Sequence, residues 1–272
     1  MKAPTLPALA KQYLATRQVS DAYAKNLLRA ANACKTLQKE AINAYLKKRL
    51  DEVAAITAKC ERTMILTVWR FAYEAEIVDL PPRGIMRFRV TKEPTQAWTR
   101  EELKLAIEQA KEAPGRLRSG AKLSDYLECW IRLGYETGAR HGDLRAFRAD
   151  QITGDVIRWV QSKTGDPIEK VLSPACLDAC RRMAAGSIDG TLLGWACGRR
   201  MALKHMRSHL DACGLSGTSK WLRRAGATHI EMLHPGKAKL HLGHRSVGLA
   251  ERNYLDWGQI RRTTPVTPSL DD

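Results

Sequence analysis

Apolar side chains recur at helical intervals through the N-terminal part of the chain: Leu27, Leu28, Ala31 and Cys34, then Ile42, Tyr45 and Leu46, then Ile65, Leu66, Trp69 and Phe71. A stripe with this period buries one face of an α-helix, so the region from Thr5 to about Val78 predicts a small helical bundle. Ser20 stands where a hydroxyl would cap the second helix, and Lys25, Arg29, Lys47 and Lys48 fall on the polar faces. Leu80, Pro81, Pro82, Arg83 and Gly84 end the periodicity, because proline removes a helix donor. From there to Pro94 the chain carries Arg87, Arg89 and Lys92 without a period, which predicts an extended basic linker over residues 81–96, between a domain at 1–80 and another at 97–272.

The second domain opens on a local start signal. Thr99 and Glu102 are spaced as a capping box, with Trp98 and Leu103 placed as a hydrophobic staple. Leu123 to Glu136 reads as a buried helix stopped by Gly138, and Asp143 to Phe147 as a short helix after the turn. The period then shortens: Val156, Ile157, Trp159 and Val160 precede Ser162 to Asp166, after which Ile168, Val171 and Leu172 resume, so a β-hairpin with Lys163 at its turn is expected. Ser173 and Pro174 supply a cap and a first-turn proline, and from there to Tyr254 the pattern is helical. The fold class expected is mainly α with a small antiparallel β-hairpin or sheet.

Composition narrows the function class. Lys and Arg number 45 against 29 acids, a formal charge of +16 over 272 residues, and such an excess favours a polyanionic partner through counterion release. The seven cysteines are odd in number, scattered and preceded by no signal-like segment, which predicts a reduced cytoplasmic setting. The helical pattern begins almost at Met1, so no extra N-terminal module is expected. No run approaches the roughly 20 apolar residues of a membrane span. Cys176 with Cys180, and His205 with His209, have the spacing of paired metal ligands, but the same spacing marks one face of a helix and the pairs are far apart, so no metal is expected. There is no GxxxxGK[ST] phosphate loop, which argues against a nucleotide-driven enzyme.

Four separated pieces carry candidate chemistry: Thr137-Gly138-Ala139-Arg140-His141-Gly142-Asp143-Leu144, the hairpin Lys163, Lys220-Trp221-Leu222-Arg223-Arg224, and Leu242-Gly243-His244 followed by Tyr254. Attack on a phosphodiester builds negative charge on the phosphate oxygens, and arginine meets it with two parallel donors and a charge that persists at any working pH. A tyrosine among such cations can serve as a nucleophile.

In their order and spacing the four pieces resemble the tyrosine recombinase (phage integrase) family over essentially all of the second domain, and the helical first domain resembles that family's core DNA-binding domain. The resemblance implies strand cleavage and rejoining through a 3′-phosphotyrosyl bond on Tyr254, without cofactor, metal or ATP. Arg140 and Arg223 match the family's two arginines, and Asp143 matches the acidic position that supports the first. Lys163 matches the lysine that protonates the leaving 5′-oxygen, and His244 the histidine that donates to a non-bridging oxygen. Lys220 departs from the pattern, since the family usually has histidine three residues before its arginine; the related type IB topoisomerases can carry lysine there. Lys25, Arg29, Lys47, Lys48, Arg87, Arg89 and Arg224 are the expected DNA contacts. The implied partner is double-stranded DNA with an inverted-repeat core site, held by a homotetramer, with accessory DNA-bending proteins compatible and the tail from Asp256 to Asp272 reaching a neighbour. Two alternatives stay open: a type IB DNA topoisomerase, and a non-catalytic DNA-binding regulator of the same fold.

Overall fold

The computed structural model describes residues 4–91, 93–244 and 247–261, without the side chains of Val247 and Arg261. Lys92 of the expected linker and the tail residues 262–272, with Pro265 and Pro268, lie outside the described residues. The chain forms two compact units, Met1–Glu93 and Pro94–Asp272.

The first unit is a bundle of α1 (Leu6–Ala15), α2 (Asp21–Cys34), α3 (Lys39–Glu52) and α4 (Ala55–Glu74). Its core is the expected stripe, with Leu6, Leu9, Leu27, Ile42, Leu46, Ile65 and Trp69 buried. The Ser20 hydroxyl caps α2 by accepting from the Tyr23 amide at 3.3 Å. Glu61, buried on α4, takes two hydrogen bonds of 2.8 Å from Arg49 and one of 2.8 Å from the Tyr45 hydroxyl, so the charge inside the bundle is paired. The basic stretch after α4 begins as a strap on this bundle. The Trp69 indole donates to Leu80 O at 2.8 Å, Arg62 to Met86 O at 2.7 Å, and Asn43 clasps Gly84 O and Met86 N, while Ile85 is buried in the core.

In the second unit, α5 (Arg100–Lys111) starts at the capping box: Thr99 accepts from the Glu102 amide at 3.2 Å and Glu102 accepts from the Thr99 amide at 2.7 Å. The centre of this unit is α6 (Leu123–Thr137), buried around most of its circumference by Tyr126, Leu127, Cys129, Trp130, Ile131 and Leu133. It ends where the sequence places the stop, at Gly138 in the left-handed conformation with φ 59°. After the short α7 (His141–Ala146) come β1 (Ile152–Thr153), β2 (Val156–Val160) and β3 (Pro167–Val171), an antiparallel sheet in that order. The register pairs Trp159 with Ile168 and Val160 with Pro167, with Ile157 and Trp159 facing inward. The expected hairpin is therefore present, joined by a third strand of two residues. Then follow α8 (Pro174–Ala185), α9 (Arg199–Ala212), α10 (Lys220–Leu233), α11 (Ala238–Leu242), α12 (Val247–Asn253) and α13 (Trp257–Arg261). The fold is mainly helical with a small antiparallel sheet, as expected. No helix among the described residues is long and apolar enough to cross a membrane.

Candidate active site

The chain reversal after α6 delivers the first cation. Thr137 accepts from the Ala139 amide at 3.2 Å, Gly138 supplies the left-handed turn, and Arg140 follows in extended backbone as the cap residue of α7. The half-buried Arg140 guanidinium donates to Gln161 Oε1 at 2.9 Å. Asp143, 4% exposed, accepts from the Ser162 amide at 3.0 Å, so its hydrogen bond goes to the β2–β3 turn rather than to Arg140.

The second cation lies deeper. Lys220 and Arg223 are one helical turn apart on α10 and approach the Tyr254 ring together, with Lys220 Nζ 5.7 Å and Arg223 Cζ 4.9 Å from its centroid. Arg223 is only 3% exposed. It donates to Gly138 O, to Leu242 O at 2.9 Å and to His244 Nε2 at 3.0 Å. Burial pulls its pKa down, while Tyr254 and Asp143 favour the cation.

His244 follows Gly243, which closes α11 in the left-handed conformation at φ 61°. Because a guanidinium only donates, His244 Nε2 accepts and its ring proton sits on Nδ1, which has no partner among the described residues. Burial first, then Arg223, Arg140 and Lys163, push its pKa down to about 4. The imidazole is therefore neutral, and it meets the Tyr254 ring edge-on at 5.0 Å. Tyr254 follows the last turn of α12. Its amide donates to Ala250 O at 2.9 Å, and the buried Thr228 on α10 ties the next residues down by accepting from the Asp256 amide at 3.0 Å. Leu255, 1% exposed, anchors the segment in a small core with Ala227, Leu242 and Ala250.

Lys163 is exposed in the six-residue turn 161–166, whose base is fastened by Gln161 N to Asp166 O at 2.9 Å, Gly165 N to Gln161 O at 2.9 Å and Ser162 N to Asp143 at 3.0 Å. Lys220 and Arg223 stand over the Tyr254 ring and His244 bonds Arg223, while Lys163 lies on the turn that begins at Gln161, the partner of Arg140. Of the expected DNA contacts, Lys25, Arg29, Lys47, Lys48, Arg87 and Arg89 are exposed on the first unit. Arg224 is half-buried and donates to Gln96 O at 3.2 Å.

Two features of the site have no counterpart in the motif reading. Gln161, 2% exposed, joins Arg140 to the α11 end by donating to Leu242 O at 3.1 Å. Lys170 on β3 donates to Leu240 O at 3.0 Å. The signal for Gln161 was the period of two, which carries the inward face from Ile157 through Trp159 to position 161. The paired cysteines and histidines engage separate partners: Cys180 Sγ lies 4.0 Å from Cys129 Sγ, and His209 Nε2 bonds Ala106 O at 2.8 Å.

No family model and no curated protein matches the chain by sequence. Solved structures do match in fold. A lambda integrase dimer bound to a COC′ core site superposes with a TM-score of 0.77 at 21% identity, covering 98% of this chain and 81% of that one. The lambda integrase tetramer bound to a Holliday junction gives 0.76 at 20% identity over 99% and 81%. The Tn1549 transposon integrase in complex with circular intermediate DNA gives 0.69 at 13% identity over 98% and 97%. XerH site-specific recombinase on its palindromic difH substrate gives 0.67 at 14% identity over 88% and 77%. The fold of the chain is that of the tyrosine recombinases.

Proposed function

We propose that the protein is a tyrosine-type site-specific DNA recombinase. The observation that carries this reading is the Tyr254 ring packed against Arg223, Lys220 and His244 inside a fold shared with DNA-bound integrases. Tyr254 Oη attacks the scissile phosphorus, the P–O5′ bond breaks, and a 3′-phosphotyrosyl ester replaces it while the phenol proton passes to solvent. Arg140 and Arg223 neutralise the charge that gathers on the non-bridging oxygens, with Lys220 adding a third cation where the family usually has histidine. His244 holds Arg223 through Nε2 and keeps Nδ1–H as its donor for a phosphate oxygen. The Lys163 ammonium gives its proton to the departing 5′-oxygen. Rejoining is the same step reversed by another strand's 5′-hydroxyl, so the bond energy is retained and neither nucleotide nor metal is required.

The substrate is double-stranded DNA with an inverted-repeat core site, and four protomers act around two such sites. Support comes from the lambda integrase neighbours, one a dimer on a core site and one a tetramer on a Holliday junction. Lys25, Arg29, Lys47, Lys48, Arg87, Arg89 and Arg224 supply phosphate contacts. A nicked duplex tests the reading, because cleavage beside the nick frees a short strand and traps the ester. Wild-type protein is expected to form an adduct that survives denaturing electrophoresis, and Tyr254→Phe none. A protein that binds DNA and never becomes attached would instead be the non-catalytic regulator.

A further inference from the structure

Gln161 is a neutral, buried side chain among the cations of the site, and its carboxamide bonds three parts of it. Oε1 accepts from Arg140 Nη1 at 2.9 Å and from Thr164 Oγ1 at 3.0 Å, while Nε2 donates to Leu242 O at 3.1 Å. Leu242 O also accepts from Arg223 Nη2 at 2.9 Å, so one carbonyl links the amide to the second arginine. Gly243 leaves the room this needs: a Cβ there would meet Ile168 and stand 2.7 Å from Gln161 Nε2. Only a carboxamide meets these demands. A carboxylate has no donor for Leu242 O and would cancel the Arg140 charge that a phosphate must use, and an apolar residue would take from Leu242 O one of its two donors and from the half-buried Arg140 its acceptor.

We infer that Gln161 is the positioning residue of the site, holding Arg140 and the Lys163 turn in register with the Arg223 and Leu242 platform. It touches no reacting atom and acts through these neighbours. The inference rests on the phosphotyrosyl reading for its catalytic consequence, and the test keeps the two apart.

Full-length wild-type protein selects, from nicked duplexes of random sequence, those to which it attaches covalently. The selected duplex is then made with oxygen or with sulfur bridging to the 5′-carbon at the scissile phosphate; a thiolate departs without needing a proton. Gln161→Met is expected to attach about 100-fold more slowly on both duplexes, since Arg140 and the turn both lose their hold. Thr164→Val, at an exposed position, removes only the bond to the turn. It is expected to slow the oxygen duplex by about 10-fold and to match wild type on the sulfur duplex. A Gln161→Met protein that melts with wild type and attaches at the wild-type rate overturns the inference. Should that variant fail to fold, unchanged attachment by Thr164→Val on the oxygen duplex overturns it. Should wild type attach to nothing, the phosphotyrosyl reading fails, and positioning is read from the ring titration of His244 in the free protein. That ring bonds Arg223 and packs edge-on against the Tyr254 ring, and burial with the charges of Arg223, Arg140 and Lys163 lowers its pKa to about 4. Release of Arg140 and Lys163 in Gln161→Met is expected to raise it, and an unmoved titration overturns the inference.

Discussion

Arg223 carries its charge at 3% exposure, and Gly138 O, Leu242 O and His244 Nε2 replace part of the lost hydration at Nη1 and Nη2, while Nε has no partner among the described residues. The two carbonyls are available because α6 and α11 end beside each other, and His241 is the wedge between their neighbours. Its ring Nε2 lies so close to Gly138 and Gly226 that a Cβ at either would stand 2.6 Å or 2.5 Å away, and a Cβ at Gly226 would also stand 2.5 Å from Tyr135 O. Alanine in an open helical position would stabilise by about 1 kcal/mol over glycine. Gly226→Ala is expected instead to destabilise by about 1–3 kcal/mol in urea unfolding, because a backbone carbonyl cannot yield as a flexible chain can. His241 itself is 6% exposed, and burial, with Lys170 and Arg223, lowers its pKa from 6.5 to about 3. Between those values the unfolded chain binds a proton that the folded chain refuses. Stability from this group is therefore complete above about pH 6.5 and falls with acid, by up to ~1.4 kcal/mol per pH unit. His241→Gln is expected to flatten the pH dependence of the unfolding free energy between about pH 6 and 4 by roughly one proton; an unchanged slope would contradict it.

At the level of elements, what the sequence made legible was local. The Ser20, Thr99 and Ser173 caps, the Gly138 stop and the hairpin all depend on residues within a few positions of one another, and all stand where the pattern places them. Thr99→Ala is expected to cost about 1 kcal/mol of stability, measured as a shift in the urea midpoint at unchanged slope, because both bonds of the capping box are formed. What escaped the pattern depends on distant partners. The two residues of β1 pair with Ile157 and Val156, and no periodicity fits so short a strand. The basic stretch after α4 carries its charge outward and reads as a linker, yet its carbonyls belong to Asn43, Arg62 and Trp69. The bond from Arg224 to Gln96 O, 128 positions away, is likewise one that no local pattern shows. The candidate site divides the same way: the charged residues announce themselves, whereas neutral Gln161 is found only by carrying the strand alternation one step past Val160.

For the molecule as a whole, a charge of +16 favours a polyanionic partner without naming a reaction. Exposed cations stand on the first unit, and the second gathers its own around a tyrosine. The fold shared with integrases makes strand transfer the reading that uses both, and the central claim is a single bond, from Tyr254 to a 3′-phosphate. It is tested most directly by digesting the trapped adduct with nuclease and protease and locating the nucleotide remnant by mass spectrometry. The remnant is expected on the peptide containing Tyr254, joined through a 3′-phosphate and absent from Tyr254→Phe. A remnant on any other residue, or joined through a 5′-phosphate, would contradict it.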